Sequence, residues 1–394
     1  MNINPHLSFE NTAIAFASKS TKELRKTYFL FSAMNRPWLV GIGTWITIWA
    51  LKLKLPVKRL IKKTLFNHFC GGESIQDARK TIDKLAESKI FTILDYSAEG
   101  EENEVEFEKT TREQLRIIEF AATSQHLPFS VMKVSGIASN ELLEKIHRKE
   151  ILDQQEKEAY ARIKSRFQSI CQKSFELDVQ LMIDAEETWI QDPIDHMVYD
   201  MMEQFNREKI IVWNTYQMYR RDMLEKLKQA YEHALEKKYY LGVKIVRGAY
   251  MEKEREMADE HGYTDPIHRH KDDTDIDYNA AIRFCLHHND RISLFAGTHN
   301  DYSSLMMARK IDDLGFSRSS EKFWFGQLYG MSDHISFTLA AEGFNVAKYV
   351  PYGPVEKVLP YLFRRAEENT AISGQSSREY RLIKEELRRR KFKN

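Results

Sequence analysis

From about residue 90 onward, short apolar runs rich in β-branched and aromatic residues alternate with long amphipathic stretches. The runs are Ile90–Tyr96 (IFTILDY), Phe129–Ile137 (FSVMKVSGI), Val179–Asp184 (VQLMID), Lys209–Thr215 (KIIVWNT), Leu241–Arg247 (LGVKIVR), Ile292–Gly297 (ISLFAG), Lys322–Tyr329 (KFWFGQLY) and Phe344–Val350 (FNVAKYV). Most intervals between them hold a helix-length stretch with apolar residues every three or four positions, such as Asp222–Lys237. Strand–helix alternation implies parallel pairing, and eight such units close a (β/α)8 barrel. The expected fold is therefore α/β: a TIM-type barrel over residues 86–394, carrying its last helices. Residues 1–85 form an N-terminal helical accessory segment with no convincing strand. An open doubly wound sheet is the rival architecture, but no run is followed by GxGxxG.

Polar residues cluster where the runs end. They are Asp95 and Glu99, Lys133, Asp184 with Glu186 and Glu187, Asn214 with Gln217, Arg247 and Tyr250, Thr298-His299-Asn300, Gln327, and Tyr349. Active sites of such barrels are built at the C-terminal ends of the strands, so this is the expected mouth. After the eighth run, Pro351 and Gly353 break the chain, and a helix opens around Pro354, a residue suited to a first turn. On it Tyr361, Arg364, Arg365 and Glu368 fall at i, i+3, i+4 and i+7 and share one face. Val355, Val358, Leu359, Leu362 and Ala366 form a separate apolar stripe. Two adjacent guanidiniums with a carboxylate one turn on suit a small carboxylate substrate. On the fifth run (KIVRGAY), Lys244 is expected deep in the barrel and Arg247 nearer its rim, with Gly248 and Ala249 admitting a ligand close to the backbone. That strand end suits either a dinucleotide's phosphates or the edge of a flavin ring.

Composition narrows the class. A 394-residue chain that is 42% hydrophobic and 30% charged is an ordinary globular protein able to bury a large core. Its net charge of +1 leaves no global basic excess for nucleic acid. Cys70, Cys171 and Cys285 lie far apart with no CxxC, which fits a reducing compartment. The start, MNINPHLSFENTA, has no basic region followed by an apolar one, so a cytoplasmic location is expected. Trp38 to Leu51 (WLVGIGTWITIWAL) is uncharged but shorter than the roughly 20 residues needed to cross a bilayer. With Lys52, Lys54, Lys58, Arg59, Lys62 and Lys63 behind it, this tract is either a buried accessory helix or a helix lying on an anionic membrane surface.

In order along the chain, VMKVSGIAS, IDAEE, WNTYQMY, KIVRGAY, AGTHN, GQLYGMSD and YLFRRAEEN resemble the proline dehydrogenase family, over about residues 85 to 380. The resemblance implies a barrel flavoenzyme using FAD, which oxidises L-proline to Δ1-pyrroline-5-carboxylate and passes electrons to a membrane quinone. The chain looks like the monofunctional form, with hydroxyproline dehydrogenase as the close alternative. By matching motif, Arg364 and Arg365 bind the proline carboxylate and Lys133 is a third cation. Asp184 braces these cations, and Tyr349, Tyr361 and Ile245 line the ring pocket. Tyr250 lies near substrate and flavin, and Lys244 stands where many bacterial members have Arg reaching the flavin N5. Ala185, Asn214, Arg247, Gly248, Ala249, Thr298, His299, Asn300, Gln327 and Glu368 complete the cofactor set. Asp184 and Lys244 are the candidate catalytic residues. Glu99 is a candidate gate over bound substrate. No side chain in these motifs is a dedicated base, so solvent or a neighbouring carboxylate takes the amine proton. His268 and His270 (IHRHKDD) form an HxH pattern, but they follow a helical stretch rather than a strand end; a solvated loop or helix start is expected, and no metal.

Overall fold

The computed structural model describes residues 7–34, 58–96, 103–371 and 375–392, with positions 36, 38 and 41. Glu99 and most of the Trp38–Lys63 tract lie outside the described residues. Eight strands close a barrel in chain order. They are β1 (Phe91–Tyr96), β2 (Phe129–Met132), β3 (Gln180–Ile183), β4 (Val212–Gln217), β5 (Leu241–Val246), β6 (Ile292–Gly297), β7 (Phe323–Leu328) and β8 (Val346–Tyr352). Helices stand between them, among them Glu104–Ala121, Thr188–Phe205, Met223–Lys237, Lys271–His287 and Asp301–Asp313.

Three expected strands moved by two residues or more: the eighth runs Val346–Tyr352 rather than Phe344–Val350, and the other two moved for a visible local reason. β4 starts at Val212 rather than Lys209 because the Asn206 side chain takes the backbone ahead of it. Its Oδ1 accepts from the amides of Ile211 and Val212, at 2.9 Å each. β2 stops at Met132 because the chain turns into a 3₁₀ segment, Val134–Gly136. Before β1, the described residues hold only helical segments, including Thr21–Met34 and Ile75–Ala86, and one isolated bridge at Gly72. Among the described residues no helix is long and apolar enough to cross a membrane.

The chain resolves into two compact units. One comprises Met1–Glu99, His299–Leu305 and Gly326–Asn394; the other comprises Gly100–Thr298 and Met306–Phe325. In the second unit, parallel pairing runs unbroken from β2 to β6. Its inner face is floored by rings. Phe129 packs edge-on against Trp213, Phe295 and Trp324, with centroids 5.5, 5.6 and 4.9 Å apart. Gly242 is small because Trp213 lies over it; an added Cβ would come within 2.8 Å of the indole. In the first unit, β1 pairs with β8. The helix after β8, Val355–Ala371, buries Val355, Val358, Leu359 and Leu362 against Phe66, Phe69 and Met331, as its apolar stripe predicts.

Candidate active site

Side chains alternate across a strand, so the aromatic floor fixes which residues enter the barrel. On β4 the inward set is Trp213, Thr215 and Gln217; on β5 it is Gly242, Lys244 and Val246, as the register Trp213↔Gly242 and Thr215↔Lys244 requires. Lys133 and Asp184 continue the inward parity of Phe129 on β2 and Gln180 on β3. Lys244 Nζ lies 2.5 Å from Asp184 Oδ1, and both side chains are largely shielded from solvent. An ammonium and a carboxylate thus meet one layer above the floor.

Asp184 opens a loop whose next acid is more deeply set. Glu186 is buried, and its carboxylate accepts from the Ser135 amide at 2.9 Å and also from the Ser135 hydroxyl. The Gln217 side chain donates to the Glu186 carbonyl at 2.6 Å. Burial pushes the Glu186 carboxyl up to about 7, against Lys133 and Ser135, which favour the charged form, and with Glu187 adding to the rise. Neither Gln217 nor Glu186 was singled out beyond its place at a strand end. The signal available was the second acid of IDAEE.

Several expected positions lie elsewhere. Asn214 has the opposite parity to Thr215 and turns outward, donating to Asp195 of the helix Thr188–Phe205 at 2.9 Å. Its carbonyl accepts from the Thr215 amide, so the amide group is used within the fold. Ile245 pairs in register with Tyr216, whose hydroxyl meets Tyr199 of the same helix, so Ile245 shares the outward parity of β5. Gln327 accepts from Ser336 of the helix Asp333–Ala341 at 2.8 Å. Arg247, three residues after Lys244, does not share its face. It pairs with Asp275 at 2.7 Å, donates to the Thr298 hydroxyl at 2.5 Å and lies over the Tyr278 ring. Gly248, at φ +136, is demanded by packing, since a Cβ would strike the Tyr219 ring at 2.5 Å. Ala249 beside it is exposed, and Tyr250 caps the helix Met251–His261.

In the other unit, Tyr349 has the inward parity of β8, and its carbonyl accepts from the Tyr329 amide at 2.8 Å. Arg365 is buried, with its guanidinium 5.1 Å from the Tyr361 ring centre, and Arg364 is half-buried. Glu368 lies in the same helix, its side chain outside those described. Asn300 caps the helix Asp301–Asp313, accepting from the Ser303 amide at 3.0 Å. His299 Nδ1 bonds the Ser332 hydroxyl at 2.9 Å. His268 pairs with Asp277 at 2.8 Å, and His270 opens the helix Lys271–His287.

A match to the proline dehydrogenase family covers residues 78–378. The chain is 38% identical to the carbapenem antibiotics biosynthesis protein CarD of Pectobacterium carotovorum subsp. carotovorum, over 82% of this chain and 83% of that one. It is 33% identical to mitochondrial proline dehydrogenase 1 of Arabidopsis thaliana, over 98% and 86% of the two chains. A hydroxyproline dehydrogenase of Xenopus laevis is 28% identical over 98% and 91%. Among solved structures, proline utilization A of Bdellovibrio bacteriovorus superposes with a TM-score of 0.71 at 19% identity. That match covers 93% of this chain and 38% of the larger one, and it carries the fold alone. With motifs, barrel and relatives in agreement, the chain belongs to the proline dehydrogenase family of enzymes.

Proposed function

We propose that the protein oxidises L-proline to Δ1-pyrroline-5-carboxylate with FAD as its cofactor and a membrane quinone as the final electron acceptor. The observation that carries this reading is the Asp184–Lys244 pair on the inner face of the barrel, with Lys133 at the level of Asp184. An ammonium inside a barrel mouth suits the edge of a ring system that gains negative charge on reduction. Within one unit the donor set fits an anionic dinucleotide: Lys244, Arg247 and Thr298, with Ala249 exposed nearby in the chain; His299 and Asn300 are added by resemblance. Ala185, Gly248, Tyr250 and Glu368 join them by resemblance. Asn214, Ile245 and Gln327 are left out because their side chains serve the outer face.

Bound flavin supplies the acceptor, N5, for the hydride that leaves proline C5. The chain's own residues bind and orient. Arg364 and Arg365 take the substrate carboxylate, each charge-assisted hydrogen bond contributing about 1.5–3 kcal/mol, and Lys133 adds a third positive charge. Asp184 balances Lys244, which limits repulsion among clustered cations. Tyr349 and Tyr361 supply aromatic walls for the pyrrolidine ring, Glu99 is the candidate gate, and the Trp38–Lys63 tract serves either as a buried accessory helix or as a contact with an anionic membrane surface. Residues 86–394 form the catalytic barrel and residues 1–85 its accessory segment.

The test is a visible spectrum of the purified protein with proline titrated in under anaerobic conditions. Flavin bands near their usual wavelengths that bleach with proline are expected; a colourless protein that does not turn over proline sinks the proposal. Arg364→Ala and Arg365→Ala should each weaken proline binding while leaving flavin content unchanged. The Xenopus relative makes hydroxyproline the second substrate to try. Its hydroxyl needs a polar partner where Tyr349 stands, so turnover with proline should be the faster.

A further inference from the structure

The GTHN loop after β6 is held from behind by the last described helix, Gln375–Lys391, at two adjacent residues. Arg378 meets Asp301, the residue after Asn300, at 2.6 Å, and Asp301 in turn meets His334 at 3.1 Å. Glu379 Oε2 accepts from the Ser332 amide at 2.9 Å, while the Ser332 hydroxyl bonds His299 Nδ1. A chain of three side groups therefore runs from the helix to the imidazole.

Each member of that chain is constrained. Ser332 sits in the left-handed region at φ 50 and ψ 44, an uncommon state for a residue with a side chain, and its neighbours must hold it there. Glu379 is buried, and its other oxygen, Oε1, has no hydrogen-bond partner among the described residues. Beside it Asp333 lies between Lys19, at 2.6 Å, and Lys348, at 3.0 Å. A half-buried ammonium, Lys19, and a buried one, Lys348, thus stand against two buried carboxylates. Burial raises the Glu379 carboxyl, and Asp333 adds to that rise. A buried acid with one oxygen on a strained backbone amide is a costly arrangement for a solvent-facing helix, and apolar packing of Leu382 and Ile383 already docks that helix.

We propose that Glu379 is a positioning residue: through Ser332 it sets the ring orientation of His299, and with Arg378 it makes the last helix the support of the loop that holds the cofactor. The inference rests on the flavin reading above, and on Arg378 and Glu379, which lie outside every motif that carries the resemblance. A bond at Nδ1 fixes where Nε2 points, so losing the support turns the ring rather than removing a ligand.

The experiment uses the purified holoprotein and three variants. Flavin release is followed by its fluorescence on heating and on dilution, and the His299 imidazole by nitrogen-edited NMR, which needs no turnover. Glu379→Ala should release flavin roughly tenfold faster, the scale of one buried hydrogen bond left unmade, and shift the His299 signals. Glu379→Gln keeps an acceptor for the Ser332 amide and should restore most of the retention. Should Glu379→Ala not fold, Ser332→Gly tests the same chain. Glycine tolerates the left-handed backbone and keeps the amide bond to Glu379, removing only the hydroxyl that holds His299. Glu385→Ala, on the exposed side of the same helix, is the control and should match the parent protein. Parent-like flavin release and unmoved His299 signals in a folded Glu379→Ala or Ser332→Gly protein overturn the inference. A parent protein that binds no flavin defeats the functional reading instead, and the His299 signals then decide the positioning claim alone.

Discussion

At the scale of single residues, two acids near the barrel mouth are set apart by their surroundings. Asp184 is answered by Lys244 at 2.5 Å, whereas Glu186 is buried among neutral donors with Lys133 nearby. The Glu186 carboxyl moves from an ordinary 4.5 to about 7 on folding. A raised acid binds its proton more tightly in the folded state, so stability falls as pH rises from about 4.5 to 7 and is level above that. The full span is roughly 3 kcal/mol by linkage. Urea midpoints of the parent protein and Glu186→Gln, measured between pH 5 and 8, should lie close together at low pH and separate toward high pH as the parent loses stability that the neutral variant keeps; parallel curves would show that Glu186 does not titrate there. Asp184 calls for a different test. Asp184→Asn leaves the shielded Lys244 without its carboxylate, and loss of one partner of a buried pair costs about 3–5 kcal/mol. A urea titration of that variant should show a destabilisation of this order, together with loss of proline turnover. The resemblance anticipated Asp184 bracing cations, but its pairing with Lys244 and the raised Glu186 were not legible beyond the acidic cluster IDAEE, because burial and partner identity are tertiary facts.

At the scale of elements, the periodicity located all eight strands, and the motifs placed Lys133, Asp184 and Lys244 on the inner face. What it missed is parity. In KIVRGAY the spacing of Lys244 and Arg247 is three, so they cannot share a strand face, and the structure sends Arg247 to Asp275 and Tyr278. In WNTYQ the choice between Asn214 and Gln217 depends on which residue joins the aromatic floor. Trp213 does so, against Phe129, and that settles the strand. Such a choice needs the partner strands, which one sequence does not display. Gly248 shows the same dependence on context. Its φ of +136 and the Tyr219 ring at 2.5 Å from a built Cβ mean that Gly248→Ala is strained twice over. Thermal melts of that variant should fall by several degrees, equivalent to about 1–3 kcal/mol, because both the backbone and the Tyr219 packing must give. If the melt is unchanged, the loop after β5 is not held as described.

For the molecule as a whole, the barrel separates stability from chemistry along its axis. Phe129 and Lys133 stand on the same strand run, with the same inward parity, four residues apart. Phe129 belongs to the floor, ringed by Trp213, Phe295 and Trp324, while Lys133 lies at the level of Asp184. Residues at the N-terminal face of such a barrel serve packing, and those at the C-terminal face serve the reaction. Phe129→Ala removes a fully buried ring and leaves a cavity among large aromatic neighbours, which costs about 3–5 kcal/mol. Lys133→Ala removes a half-buried cation and little packing, so its effect on the melting temperature should be small. Proline affinity should respond in the opposite order, with Lys133→Ala raising KM by roughly tenfold or more and folded Phe129→Ala keeping a parent-like KM. Measuring the melting temperature and KM for both variants in one buffer gives four numbers that must cross. A Phe129→Ala protein with normal stability and a raised KM would mean that substrate binding reaches the floor, and the division along the axis would be wrong.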